Sequence, residues 1–250
     1  VMLQVGIRSC HVHGQFAAKD NKRPAFTLRE ALENPKRDVS RIVLPPASFQ
    51  HEKEKLEKRW PAAIDFVKQN RLNEYFGPSE GEVGIIMQGG LYNNAMRALQ
   101  QLGLADVYGN ARVPIYCMNV AYPMIDDEVV DFCAGKKAVV MLEEGAPEYI
   151  EQALHTLMRR RDLQTKVSGK DILPLGGEYT TPVLVNGLSA FFEAYAPQIL
   201  GNRPPVPDAG PVLADPKVKA LAEVVPPRPA GFCTGCPERP IFAAMKLVEK

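Results

Sequence analysis

Residues 83–104 read VGIIMQGGLYNNAMRALQQLGL. Val83–Gln88 is an almost unbroken apolar run that stops at Gly89-Gly90. A short continuous apolar run bounded by a glycine turn fits a strand buried on both faces. From Leu91 the spacing changes: Leu91, Ala95, Met96, Ala98, Leu99 and Leu102 follow a helical period, and Gly103 supplies a stop. The stretch is therefore strand, tight turn, helix.

The same alternation runs on through the chain. VPIYCMNVAYP (113–123) predicts a second strand, and DDEVVDFCAG (126–135) a short helix with Asp126 and Asp127 at its positive end. KKAVVMLEEG (136–145) predicts a third strand. PEYIEQALHTLMRRRD (147–162) predicts a helix with Pro147 in its first turn and Arg159–Arg161 against its C-terminal dipole. LQTKVSG (163–169) predicts a short strand and TTPVLVNGLSAFFEAY (180–195) a last helix. Strands alternating with helices predict an α/β fold: a parallel sheet of four or five strands with helices flanking both faces.

Outside this block the chain changes character. Residues 1–8 read as a strand, and Thr27 to Glu33 as a short helix with Thr27 and Glu30 in a capping box. RIVLPPASF (41–49) reads as extended. Leu56, Trp60, Ile64, Val67 and Leu72 recur at helical spacing, so residues 51–75 predict two linker helices, with Pro61 breaking or kinking the first after Trp60 and opening the second. The charged run 51–59 reads as a solvated face. Ala196 to Ala230 is crowded with proline and reads as a long loop. A helix without a C-cap follows from Pro240. With no initiator Met in front of a strand and no cap behind that helix, the chain is expected to be a piece of a longer protein.

Composition excludes some functions. The 250 residues carry a net charge of +1, so nothing draws the chain electrostatically to nucleic acid, and no apolar run approaches a membrane span. Five cysteines, an odd number, argue for a reducing, cytoplasmic compartment rather than a disulfide framework.

Four places invite a chemical reading. Gly89-Gly90 could bring backbone N–H groups to an anion, although GxGxxG and GxxxxGK[ST] are both absent and a plain turn with Asn93-Asn94 explains them. Glu143 and Glu144 end a strand where doubly wound folds build sites; a solvated or subunit-contacting pair explains them equally. In IRSCHVHG, Arg8, Cys10, His11 and His13 follow a strand, and a loop presenting Arg8 and one of the histidines to a cleft is a better reading than a metal site. Cys233 and Cys236 form a CxxC without a second pair, so a zinc ribbon does not follow, and a four-thiolate cluster needs two more ligands. A thioredoxin-like dithiol prefers CxxC opening a helix straight after a strand, whereas here a proline-rich approach leads in.

GFCTGCPERP (231–240) resembles the Cys-x-Gly-Cys-Pro stretch of indolepyruvate–ferredoxin oxidoreductases, in the 2-oxoacid:ferredoxin oxidoreductase superfamily. Residues 83–104, VPIYCMNVAYPM, AVVMLEEGAPEYIEQAL and KVSGKDILPLGGEYTT resemble successive segments of that family's transketolase-C-like domain. IRSCHVHG resembles the Arg-x-x-His-x-x-Gly that ends its pyrimidine-binding domain, and IVLPPASFQHEKEKLEKR the connector between the two. The resemblance implies the end of a pyrimidine-binding-type domain at 1–45 and a helical linker at 46–80. The transketolase-C-like α/β domain would follow at 81–200, then a proline-rich linker and the start of a diphosphate-binding domain at 201–250. It implies a thiamine-diphosphate enzyme with Mg2+ and [4Fe-4S] clusters, oxidising 2-oxoacids to acyl-coenzyme A and passing electrons to ferredoxin. Its partners would be the rest of the same enzyme and a gamma/beta-type subunit, in an oligomer. Arg8 and His11 become candidate cofactor contacts, and Cys233 and Cys236 candidate cluster ligands.

There are departures from that pattern. CTGCPERP differs from the commoner Cys-Pro-Gly-Cys-Pro-His-Arg form, the chain has no Gly-Asp dipeptide to hold Mg2+ and diphosphate, and ferredoxin-like cysteine runs are missing. The catalytic glutamate would fall before Val1. The chain alone is therefore expected to be inactive and to hold none of these cofactors. The alternatives are an α/β binding or subunit-docking module, or a thiol oxidoreductase using Cys233 and Cys236.

Overall fold

The central strand is the one the apolar run announces. In a computed structural model, Val83–Gln88 lies in the middle of a five-stranded sheet, and all but Gln88 of its residues are buried. The structure describes residues 27–35, 38–39, 42–201, 214–225 and 239–248. The proposed strand at 1–8, Arg8, His11, Cys233 and Cys236 lie outside them.

The chain divides into two compact units, Val1–Pro204 and Pro205–Lys250. Among the described residues of the first, helix α1, Leu28–Glu33, comes earliest, and its N-cap Thr27 accepts the Glu30 N–H at 3.1 Å, as the capping pattern predicted. The linker follows as α2 (Ala47–Glu54), a π turn (Lys55–Arg59) and α3 (Trp60–Gln69). One expectation is corrected here: Ala47-Ser48-Phe49 opens a helix instead of extending. Pro61 stands in the first turn of α3, where a second linker helix was expected to open. A proline cannot donate to the carbonyl one turn back, and its ring crowds that carbonyl. The wider π turn ahead of Pro61 accommodates both problems, with the Trp60 N–H donating to the Lys55 carbonyl five residues back. Residues 52, 53 and 55–59 are exposed, as a solvated face should be.

The chain then forms β1 (Glu74–Phe76), β2 (Val83–Gln88), a 3₁₀ turn (Gly89–Leu91), α4 (Tyr92–Gln101) and β3 (Ile115–Met118). Next come α5 (Asp126–Cys133), β4 (Ala138–Leu142), α6 (Tyr149–Arg160), β5 (Lys166–Ser168), α7 (Thr181–Tyr195) and α8 (Pro197–Leu200). The sheet order is β1-β3-β2-β4-β5. β3, β2, β4 and β5 are parallel, with Ile85 opposite Ile115 and Val140. The expected parallel sheet with flanking helices is present.

The remaining strand is a correction. Leu72 was counted into a linker helix, but α3 ends at Gln69, Arg71 takes a positive φ of 48°, and Glu74–Phe76 pairs antiparallel with β3. Asn73 fixes this departure. Its amide donates to the Tyr116 hydroxyl (2.9 Å) and to Glu128 (3.0 Å), and its carbonyl oxygen accepts the Val120 N–H (3.0 Å). Tyr116 donates to Glu128 at 2.7 Å, and burial followed by that carboxylate drives its hydroxyl above the ordinary range. A buried polar cluster with every member paired holds β1 onto β3 and α5.

Pro147 precedes α6 rather than lying in its first turn, because that helix begins at Tyr149. One face of the sheet presents Ile86, Tyr116, Met118, Val139 and Met141 to Val129, Phe132, Leu154, Leu157 and Met158 of α5 and α6. The period of two turns Ile85, Met87, Ile115 and Val140 to the other face, where α4 packs on α7 and Leu99, Leu184, Leu188 and Phe191 are fully buried.

The second unit holds α9 (Pro216–Val224) and α10 (Arg239–Val248). α10 matches the expected terminal helix. α9 and α8 correct the reading of 196–230 as a loop, because a proline is tolerated in a helix's first turn and here starts both.

Candidate functional site: a crevice beyond the strand ends

Gln88 ends β2, and the chain leaves it for α4 on one face. The chains leaving β3 and β4 go to α5 and α6 on the other. Neighbouring strands whose exits diverge leave a crevice beyond their carboxyl ends, the usual location of a binding site in an open α/β sheet. Here the crevice measures about 960 Å³. Its floor is Gln88 and Glu143. Tyr122 to Asp127 form one wall, Tyr149, Ile150 and Ala153 of α6 another, and Trp60, Ile64 and Lys68 of α3 close it.

The α3 wall is held by charge and by rings. Lys68 Nζ lies 2.6 Å from Asp127 Oδ2, and an Arg161 guanidinium nitrogen lies 3.5 Å from Asp127 Oδ1. Trp60 meets Tyr122 edge-on at 5.2 Å between ring centres. The Lys68 hydrogen bond, with that ammonium's charge, holds Asp127 below the usual carboxylate range, and the same bond raises Lys68.

A pH prediction follows. A depressed carboxylate stabilises the docked helix above its ordinary pKa of 3.8 and loses that contribution as pH falls through the lowered value. A raised ammonium stabilises it below 10.5 and loses the contribution as pH rises through the raised value. Emission from Trp60, the single tryptophan, is expected to hold steady between those limits and shift to the red beyond either. Asp127→Asn should show the shifted emission already at neutral pH; unchanged emission there would show that the ion pair does not hold α3.

Glu143 and Glu144 are not a solvated pair. Glu143 is 5% exposed. Its carboxylate accepts the Ile150 N–H (3.0 and 3.1 Å) and the Glu151 N–H (2.9 Å), so it caps the start of α6 from the end of β4. Glu144 accepts the Tyr179 N–H at 2.6 Å, while its own N–H donates to Gln88 at 2.9 Å. Beside them Lys170 Nζ donates to the Glu143 carbonyl and to the Tyr179 hydroxyl, both at 2.6 Å, and Tyr179 passes a bond to the Pro174 carbonyl at 2.7 Å. Desolvation lowers Lys170 against the pull of four glutamates, and burial pushes the Tyr179 phenol up to about 12. This network fixes the loop after β5 and has no spare donor for a ligand. The glycine turn also works structurally: Asn119 packs on Gly89, and Asn94 donates to the Tyr179 carbonyl at 3.0 Å.

Among the described residues, no three His, Cys, Asp or Glu side chains cluster as a metal requires. Cys117 and Cys133 are buried free thiols, pushed by burial up to about 11 and about 12, whereas a cluster or metal ligand must be a thiolate. Two crevice cations, Lys68 and Arg161, are committed to Asp127, and Asp126 and Glu143 add two more carboxylates beside the Gln88 amide and the Tyr122 and Tyr149 rings. No described helix is long and apolar enough to cross a membrane.

Sequence reasoning placed Glu143 and Glu144 at a strand end but missed the α3 wall and Lys170. The signal for the wall was present in the i, i+4 stripe of Trp60 and Ile64, which was assigned to a linker.

No protein-family pattern matches the chain. A solved structure described as a split-gene transketolase, inactive β4 tetramer, aligns with 48% of this chain at 18% identity and a TM-score of 0.29, too low to bear on the fold. Curated proteins named indolepyruvate oxidoreductase subunit IorA align much more fully. That of Thermococcus kodakarensis is 26% identical over 253 residues, covering 98% of this chain, and that of Pyrococcus abyssi 27% identical over 248 residues. That of Archaeoglobus fulgidus is 28% identical over 257 residues. The chain spans about a third of the length of these relatives, 35% of the first two. The resemblance drawn from its motifs thus extends over almost the whole chain, which is similar along 98% of its length to the IorA subunit of indolepyruvate oxidoreductase.

Proposed function

We propose that this chain is part of a 2-oxoacid oxidoreductase subunit that acts on aryl pyruvates such as indolepyruvate. The observation that supports the reading is the alignment with IorA subunits over 98% of the chain, at 35% of their length. The oxidation would be a decarboxylation to acyl-coenzyme A with ferredoxin as acceptor, in the cytoplasm. It would draw on thiamine diphosphate, Mg2+ and [4Fe-4S] centres.

In this reading the chemical steps would fall chiefly to the rest of the subunit and its partner. This chain's contribution is the transketolase-C-like sheet, its packing surface and the crevice wall. The 1–45, 46–80, 81–200 and 201–250 divisions remain part of this reading. Arg8 and His11 would face the cofactor, and Cys233 and Cys236 would serve the cluster.

The test is anaerobic. The polypeptide is captured from its source cells with its native partners, and indolepyruvate-dependent reduction of a viologen dye is measured with and without coenzyme A. The captured complex is expected to be active and coenzyme A-dependent, and the separately purified chain inactive. A purified chain that reduces insulin disulfides, and loses this on Cys233→Ser, would overturn the proposal in favour of a thiol oxidoreductase.

A further inference from the structure

Lys136 lies at the opposite edge of the sheet from the crevice, just before β4. The residue is 7% exposed. Its stem lies over Gly84, where a Cβ would meet the Phe132 ring and Lys136 Cδ, so glycine in the buried strand leaves the space this side chain fills. Its ammonium nitrogen stands 4.6 Å from the centre of the Phe132 ring. Among the described residues, no hydrogen-bond acceptor or ion-pair partner meets that nitrogen. Buried amines normally have such partners.

Beside it is a second cavity of about 390 Å³. Tyr75, Phe76 and Phe132 give it aromatic walls, and Glu80 and Asp131 give it two carboxylates. With one amine against two carboxylates, an anionic ligand is disfavoured. A neutral ligand that becomes cationic on binding suits it. Desolvation also lowers the pKa of Lys136 against the weaker pull of Cys133 and Glu80, so more of the amine is free to act as a nucleophile.

We propose that Lys136 and the Tyr75–Phe76–Phe132 cavity form a site that binds small aromatic aldehydes or ketones as an imine. The Nζ lone pair adds to the carbonyl carbon, and the carbonyl oxygen takes a proton to give a carbinolamine. The hydroxyl leaves as water, the C=N bond forms, and Nζ retains a proton as the iminium, balanced by Glu80 and Asp131. Glu80, whose charge acts on Lys136, takes the ammonium proton that frees the Nζ lone pair and returns it to the carbonyl oxygen, then relays a second proton from Nζ to the departing hydroxyl, so that ammonium and carbonyl become iminium and water with no net proton change. No oxidant or reductant is consumed. The site is independent of the oxoacid reading and lies outside the crevice.

Benzaldehyde with cyanoborohydride traps the imine as a benzyl amine, which peptide mass mapping locates. At neutral pH, Lys136 is expected to be labelled severalfold faster than the exposed Lys58 and Lys166. Benzyl alcohol should slow Lys136 alone, and Glu80→Gln should slow Lys136 while Lys58 keeps its rate. Labelling of Lys136 no faster than Lys58 overturns the site. So does fast labelling that formaldehyde reproduces and benzyl alcohol leaves unchanged, because the amine is then reactive without an aromatic pocket. An unchanged Lys136 rate in Glu80→Gln overturns the acid–base assignment.

Discussion

Gly77→Ala is expected to lower the free energy of unfolding by about 3 kcal/mol, a left-handed strain and an overpacking cost combined. Gly77 has a φ of 76°, which side-chain-bearing residues rarely adopt. A Cβ there would also run into the Val113 carbonyl, with the Ala111 carbonyl close behind. Neither obstacle yields cheaply. Val113 is 1% exposed, and the next carbonyl, of Pro114, accepts the Ile85 N–H at 2.9 Å inside the sheet. Moving this backbone would disturb the β2–β3 pairing, and moving Gly77 would pull β1 off β3. Urea unfolding followed by Trp60 emission and by circular dichroism measures the loss. Gly176→Ala is the control: nothing lies within 4 Å of a Cβ there, and its effect should be within about 0.5 kcal/mol. Equal midpoints for the two variants would show that the turn after β1 is not constrained in this way.

Glu143→Ala is expected to cost a similar amount, about 3 kcal/mol, because hydrogen bonds to a buried charged acceptor are worth more than neutral ones and their loss orphans the donors. The Ile150 and Glu151 N–H groups would lose their acceptor at the start of α6. Glu143→Gln should cost about half as much, since an amide keeps one carbonyl oxygen but turns its N–H2 toward those donors. Hydrogen exchange separates a local from a global effect. The Ile150 and Glu151 amides should exchange faster in both variants, while Ile85 and Ile86 in the central strand should speed up in proportion to the lost global stability, less in Glu143→Gln than in Glu143→Ala. Unaltered exchange at Ile150 would refute the capping role. Tyr149 and Ile150 also form a crevice wall, so fraying of this turn would open the site as well as weaken the fold.

The sheet was legible because β2, β3 and β4 are buried on both faces. Such strands must be apolar at consecutive positions, and a continuous run such as Val83–Met87 needs little context to be read. β1 was not legible. It is three residues long, it has one neighbour, and its Tyr75 is 54% exposed, so no alternation or apolar run marks it. What places it is Asn73, whose partners Tyr116 and Glu128 lie 43 and 55 residues away. The same distance problem hid most of the crevice. Lys68 and Asp127 are 59 residues apart, and each alone resembles an ordinary surface charge. Glu143 could be placed at a strand end, but its role depends on N–H groups of the next helix, whose start the sequence put two residues early at Pro147. Lys136 read only as the first residue of the KKAVVMLEEG strand. Only the absence of a Cβ at Gly84 makes room for it inside.

Between Lys55 and Arg59 the helix holds one residue more than an α-helical path between its ends requires. Loss of a single codon is therefore unequally tolerable along this helix. A deletion within the π turn regularises the backbone and leaves α3 seated, changing only the angular setting of the exposed α2. The same deletion within α3 would rotate everything on one side of it by about 100°, carrying Trp60 and Ile64 away from the crevice or Lys68 away from Asp127. Lineages that vary in length here should do so between Lys55 and Arg59, which leaves the crevice wall intact while the surface leading to it drifts.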